Sequence, residues 1–247
     1  MAKRRTRGTI NPRVRTEVID LYGNDCWLEL PGCKGVGASD DHIIPFKAGG
    51  RGTVANIRRA CLACNISRSN RVLSGYGATI HAVIGPPCAG KTTFVAEHAD
   101  ADALVLDFDR LAEALMPGVD VKHGPTAPLI GTAQSAWQGA YRSLVRINAP
   151  VQVWLIKSLP MSRKHPRMLD EWVALDYDIH VVDPGADVVF PRLDSERRNE
   201  GAHLTARQWY ALHLSQQLID SRQSVRRVRL AALGLRSSPV PSGRPEW

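Results

Sequence analysis

Apolar residues follow two different textures along the chain. Residues 13–22 carry Val14, Val18 and Leu21 at helical spacing, which predicts a short helix. Residues 23–52 are rich in Gly, Asp and Pro and predict irregular chain. Residues 56–71 predict a short helix bearing a pair of cysteines, and Ser74-Gly75-Tyr76-Gly77 reads as a linker. From Ala78 the texture changes. Thr79–Ile84 is a β-like run that ends in a glycine-rich turn, and Lys91–His98 reads as a helix. Residues 104–107 read as a strand and 133–147 as a long helix, and 151–156 and 179–183 are two further buried-strand candidates. Short apolar strands alternating with helices predict a parallel α/β sheet. Residues 205–234 look helical, with Arg222, Arg226, Arg227 and Arg229 along them, and the Ser/Pro/Gly-rich end predicts a disordered tail. The expected organisation is therefore a basic arm over 1–12, a first domain over 13–73, a linker over 74–77, a second domain over 78–236 and a tail over 237–247.

Composition sharpens this picture. Hydrophobic residues make up 44% of the 247, enough for a real core, so wholesale disorder is excluded. The net charge is +8 and is unevenly placed. Residues 1–75 hold 13 Lys+Arg against 6 Asp+Glu, whereas the other 172 hold 19 against 18. An excess of positive charge confined to the first third suits a polyanion, of which nucleic acid is the commonest, although a solvated tail at Lys3, Arg4, Arg5 and Arg7 fits as well. No run approaches the roughly 18 apolar residues of a membrane span, and no apolar segment follows the basic N-terminus, which leads us to expect a cytoplasmic protein with no membrane partner.

Four of the five cysteines lie between positions 26 and 64. In a reducing compartment such a set points to metal and away from disulfides. Cys26 and Cys33 form one pair, Cys61 and Cys64 a CxxC. Two pairs from separate segments can close one tetrahedral Zn²⁺ site, and a region this small needs the metal to fold. The pairs enclose Asp41-His42-Ile43-Ile44-Pro45. The string DDHIIPFKAGG, then Val54-Ala55-Asn56-Ile57, then RRACLACN resembles the HNH endonucleases over about residues 13–71. That resemblance implies a ββα-metal fold, an endonuclease activity and a DNA partner, with RNA left open. It implies that Asp41 and Asn65 hold a catalytic Mg²⁺ or Mn²⁺, that His42 is the general base and that Asn56 positions the loop and the base. The family's last metal position is often His; here it is Asn65. Arg51, Arg58, Arg59, Arg68 and Arg71 are expected as a group to contact phosphates.

A second motif opens the other half. Gly85-Pro86-Pro87-Cys88-Ala89-Gly90-Lys91-Thr92 fits GxxxxGK[ST] between a strand and a helix candidate, and Thr93 follows. Loop N–H groups would cradle phosphates, Lys91 would reach the β/γ-phosphates, and Thr92 would bind Mg²⁺. Cys88 reads as a small spacer. Residues 78–215 resemble the P-loop kinases of the polynucleotide-kinase type, which implies ATP with Mg²⁺ as ligand. Asp107 and Asp109 match the acidic position that activates an acceptor hydroxyl in such kinases; a helix-capping Asp is the alternative. No apolar run ends in a clear Walker-B acid. Arg163, Arg192, Arg197 and Arg198 are either lid arginines or surface charge. The expected fold is an α+β, zinc-stapled ββα-metal domain followed by an α/β P-loop NTPase domain with a parallel sheet.

Overall fold

Pro12 opens the first helix, α1 (Pro12–Tyr22), where its missing N–H costs nothing, and the Asn11 side chain caps it by accepting from the Arg13 N–H at 2.9 Å. The computed structural model describes residues 10–116, 127–163 and 165–235; most of the expected arm and all of the expected tail lie outside that range. Two strands follow, β1 (Ser39–His42) and β2 (Ile57–Ala60), paired antiparallel with Asp41 opposite Arg58 and His42 opposite Ile57. Helix α2 (Leu62–Arg68) begins at Cys61, whose sulfur accepts from the Cys64 N–H. The sequence-based expectation is corrected at two places here. Residues 23–52 contain β1, and the first part of the helix expected over 56–71 is a strand. Ile57 and Ala60 are buried and pair with His42 and Ser39 of β1, and that tertiary pairing overrides the helical reading.

The second half is built on β3 (Thr79–Ile84), α3 (Lys91–His98), β4 (Leu104–Leu106), α4 (Phe108–Leu115), α5 (Ala127–Leu144), β5 (Gln152–Lys157), α6 (Met168–Ala174) and β6 (Asp178–Val181). Then come α7 (Ala186–Ser195), α8 (Glu200–Ala211) and α9 (Gln216–Ala232). All four expected strands form one parallel sheet in the order β4-β5-β3-β6. The expected helix over 205–234 is two helices, because Ser215 caps a new start by accepting from the Leu218 N–H. No helix among the described residues is long and apolar enough to cross a membrane.

The segment between the halves is a tied turn. Ser74 N–H donates to the Leu175 carbonyl at 3.0 Å, and the Ser74 hydroxyl accepts from the Ile80 N–H at 2.9 Å. Trp27 and Leu30 share one buried apolar cluster with Trp172, Leu175 and Leu235. Arg226 on α9 spans the junction, donating to the carbonyls of Trp27 at 2.8 Å and Ala174 at 3.0 Å. A charge buried this way is held by the carbonyl oxygens and by Glu29 at 3.1 Å.

One feature of the sheet gives a pH dependence. His81 on β3 stacks on Trp154 at 4.1 Å, contacts His180 Nε2 at 3.2 Å and lies 3.9 Å from Asp178. Burial brings His81 down to about 4, against the pull of Asp178, with His180 adding to the fall. The unfolded imidazole binds its proton near the ordinary value, so between about pH 6.5 and 4 the unfolded state holds more protons and stability falls as pH falls. The expected loss is about 3 kcal/mol at most. Urea midpoints measured from pH 7 to 4 check this, and His81→Phe should flatten the slope.

Candidate functional site

Strand β1 delivers Asp41 and His42 side by side, both nearly buried, onto a cavity of about 1310 Å³. The same cavity is lined by Ser39, Phe46, Lys47 and Asn65. The His42 ring meets Phe46 edge-on at 5.9 Å between centroids. Asn56, at the entry to β2, clamps the loop that leaves β1. Its Oδ1 accepts from the Ile44 N–H at 2.8 Å, and its Nδ2 donates to the carbonyls of Ile44 at 3.2 Å and Arg51 at 3.0 Å. The clamp explains Gly50, because a Cβ there would lie 1.9 Å from the Ile44 carbonyl oxygen and 2.8 Å from the Asn56 amide nitrogen. Asn65 on α2 donates through Nδ2 to the Ser39 hydroxyl at 2.9 Å, which leaves its amide oxygen as the end able to serve a cation.

Behind this cavity the four cysteines converge. The sulfurs of Cys26, Cys33, Cys61 and Cys64 all lie within 4.8 Å of one another. Burial works to raise the Cys61 thiol. N–H groups of Lys34 and Cys64 and the neighbouring thiols outweigh it and bring Cys61 down to about 6. Burial and the same neighbours push Cys64 the other way. Four sulfurs packed this closely fit one soft divalent cation, tetrahedrally ligated, and the donor set is that of structural Zn²⁺.

Residues 26–71 match the family model described as HNH endonuclease. The matched segment holds the whole cysteine quartet, the Asp41-His42 pair, Asn56 and Asn65. No curated protein matches the chain.

The arginines expected to contact phosphates are placed differently in this segment. Arg58, Arg68 and Arg71 are buried. Arg58 donates to the Leu233 carbonyl at 2.8 Å and lies 3.6 Å from the centre of the Tyr22 ring. Arg71 pairs with Glu171 at 2.7 Å, and Arg59 with Asp40, which also holds Arg15 at 2.6 Å. Of the five, only Arg51 is exposed, alongside Arg13, Lys34 and Lys47 elsewhere in the first third. Much of the basic excess is therefore consumed inside the fold.

The glycine-rich loop, residues 85–90, joins β3 to α3. A Cβ at Gly85 would lie 2.0 Å from the Val182 carbonyl oxygen, so only glycine fits. Lys91 Nζ is buried and donates to the carbonyls of Gly85 at 3.0 Å and Pro86 at 2.6 Å. Burial brings it down to about 8, against the pull of Asp109 and Asp107. Asp107 has two tasks. Its Oδ2 accepts from the Thr92 hydroxyl at 3.1 Å, and its Oδ1 caps α4 by accepting from the Asp109 N–H at 3.0 Å. Burial, and then the charge of Asp107, raise the Asp109 carboxyl. β5 ends in Lys157-Ser158, so the acid beside Thr92 comes from the far side of β5, off β4. Of the candidate lid arginines, Arg192 donates to the Cys88 carbonyl at 3.2 Å, and Arg198 is held by Glu196 at 3.1 Å beside the loop. Arg163 and Arg197 are exposed. The Asp107–Thr92 contact depends on sheet order and had no signal in the sequence.

Proposed function

We propose that the protein is a divalent-metal-dependent endonuclease acting on DNA. The observation that carries this is the convergence of Asp41, His42 and Asn65 on one cavity, beside a four-cysteine cluster, in the segment that matches the HNH endonuclease family. Asp41 and Asn65 offer a carboxylate and an amide oxygen, a hard donor pair that fits Mg²⁺ or Mn²⁺. A cation held there supplies positive charge against the scissile phosphate and the leaving oxygen. His42 takes the proton from the attacking water, a task suited to an imidazole near neutral pH. Asn56 keeps the loop after β1 in one shape, so that the His42 backbone stays on its strand. Lys47, which lines the cavity, and the exposed Arg51 would meet the nucleic-acid backbone.

A second reading adds a nucleotide site in the other half. The buried Lys91 inside residues 85–92, with Thr92 bonded to Asp107, supports binding of a nucleoside triphosphate with Mg²⁺. Residues 85–93 would hold the phosphates. Asp109, whose carboxyl is raised, would accept a proton from an acceptor hydroxyl. In this reading the second half either gates cutting or phosphorylates nucleic-acid ends, and the HNH module could then serve only to bring nucleic acid to a kinase.

One experiment separates these. Supercoiled plasmid is incubated with Mg²⁺ or Mn²⁺, with and without ATP, using the parent and Lys91→Ala. Nicking without ATP, unchanged in Lys91→Ala, makes the second half a separate activity. Nicking only with ATP, lost in Lys91→Ala, makes it a switch. No nicking under any condition removes the nuclease reading. Nucleotide affinity in Lys91→Ala should fall at least about tenfold, since the lost ammonium is a charge-assisted partner of phosphate; equal affinity rules out the loop.

A further inference from the structure

Asp41 reaches the nuclease cavity with one carboxylate oxygen already committed. Its Oδ2 accepts from Trp27 Nε1 at 3.1 Å and from Arg68 Nη1 at 2.8 Å. Among the described residues nothing donates to Oδ1. The arginine that does this is itself fixed on all sides. Arg68 Nη1 also donates to the His42 carbonyl at 2.6 Å, Nη2 to the Ile43 carbonyl, and Nε to the Arg71 carbonyl at 3.1 Å. The guanidinium carbon lies 5.0 Å from the centre of a Trp27 ring, and the side chain has no solvent exposure. Such a residue cannot swing out to a phosphate. It ties the backbone of residues 42–43 to the end of α2 and holds Asp41 to the same frame.

This arrangement bears on how a cation is held. A carboxylate that can use both oxygens, with its full negative charge, binds a hard cation more tightly than one limited to a single oxygen. Two N–H donors on Oδ2 draw charge from the carboxylate, and the Arg68 cation repels a second cation held by the same carboxylate, in a setting where water screens little. What is gained is a single fixed direction for Oδ1.

We propose that Arg68 and Trp27 are positioning residues of the nuclease centre, which hold Asp41 by Oδ2, present Oδ1 alone to a divalent cation, and so loosen the grip on that cation in return for fixed geometry. The inference rests on the reading of Asp41 as a metal ligand. It assigns Arg68 a place behind that ligand, in contrast to the phosphate contact its position in the sequence suggests.

The test is Mn²⁺ binding by calorimetry on the full chain in a His42→Ala background, so that no cleavage enters the readout. Trp27→Phe keeps a ring in the core and removes the N–H to Oδ2 together with one ring of the indole. Mn²⁺ should bind this variant more tightly, by about threefold or more, because outer-sphere partners commonly change metal affinity by ten- to a hundredfold. A merely structural role for Trp27 predicts the opposite sign, since a loosened site binds metal more weakly. Equal or weaker binding in Trp27→Phe, with zinc content and circular dichroism at parent values, overturns the proposal. Asp41→Ala is the control that keeps the two claims apart. Parent-like Mn²⁺ affinity there removes Asp41 as a ligand; lost affinity there with no tightening in Trp27→Phe removes the positioning role alone. Should Trp27→Phe fail to fold, Arg68→Lys decides. It keeps the charge and loses the fork, so with His42 intact it should hold Mn²⁺ within about twofold of the parent and nick plasmid at least about tenfold more slowly. An unchanged nicking rate in that variant overturns the proposal.

Discussion

Replacing His42 by alanine should lower metal-dependent nicking of supercoiled DNA by about a hundred- to ten-thousandfold, the usual contribution of a positioned general base. The backbone at this position is held by groups other than the imidazole. His42 pairs with Ile57 across the β1–β2 ladder, and its carbonyl is held by Arg68. The ring lines the cavity and packs edge-on against Phe46, so its removal trims one cavity wall and leaves the strand in place. Zinc content and circular dichroism should therefore match the parent while the rate collapses. Nicking at the parental rate would remove His42 from the mechanism. With it would go the argument that the Asp41-His42 pair is chemical and not architectural.

The cysteine cluster behind that pair was legible in the sequence. Cys26, Cys33, Cys61 and Cys64 announce themselves by residue type and spacing, and the structure gathers their sulfurs into one cluster. The parallel sheet was legible too, because β3 and β5 are apolar enough to read as strands unaided. Strand β2 was hidden from the local pattern, and only the resemblance implied a second strand. Ile57-Arg58-Arg59-Ala60 carries two arginines, and a strand with a buried arginine is possible only because the Leu233 carbonyl and the Tyr22 ring receive Arg58 from far along the chain. Local pattern holds no record of such partners. The same blindness explains the arginines read as phosphate contacts. A charge count sees Arg58, Arg68 and Arg71 as basic surface, whereas burial turns each into an internal fastener. Asp107 was half legible. An Asp two residues before another Asp, at the end of an apolar run, offers a cap as the alternative to an acceptor-activating acid. The Thr92 hydroxyl that it also receives lies across the sheet.

Taken with the junction, these buried arginines change how the two halves relate. Arg58 reaches the C-terminal end of α9, Arg71 reaches α6, and Arg226 returns from α9 to the carbonyl of Trp27, whose indole in turn holds Asp41. Trp27, which donates to Asp41, is thus packed against elements of the second half. Loss of order around the cysteine cluster would consequently be felt across that shared core.

Cys61→Ser tests the cluster with little ambiguity. Cys61 does two things: it offers a sulfur to the quartet, and it caps α2 by accepting from the Cys64 N–H at 3.4 Å. Serine is a better cap than cysteine, so the helix start should be kept or improved. Any loss of stability then comes from the missing thiolate. Serine binds Zn²⁺ poorly, and a three-sulfur site left in this buried setting has no cation to offset the crowding of its donors. Apparent binding energies of structural zinc run to about 10 kcal/mol or more, comparable to the whole stability of an ordinary domain. We expect purified Cys61→Ser to carry no zinc by metal analysis and to lose the amide protection of β1, β2 and α2 in hydrogen exchange. Because Trp27 and Leu30 share their cluster with Trp172 and Leu175, protection should also weaken at α6. If the parent protein contained no zinc, the four-sulfur site would need another occupant. If Cys61→Ser kept both its zinc and its protection, the cluster would be a satisfied thiol core and not the staple that holds β1, β2 and α2 in shape.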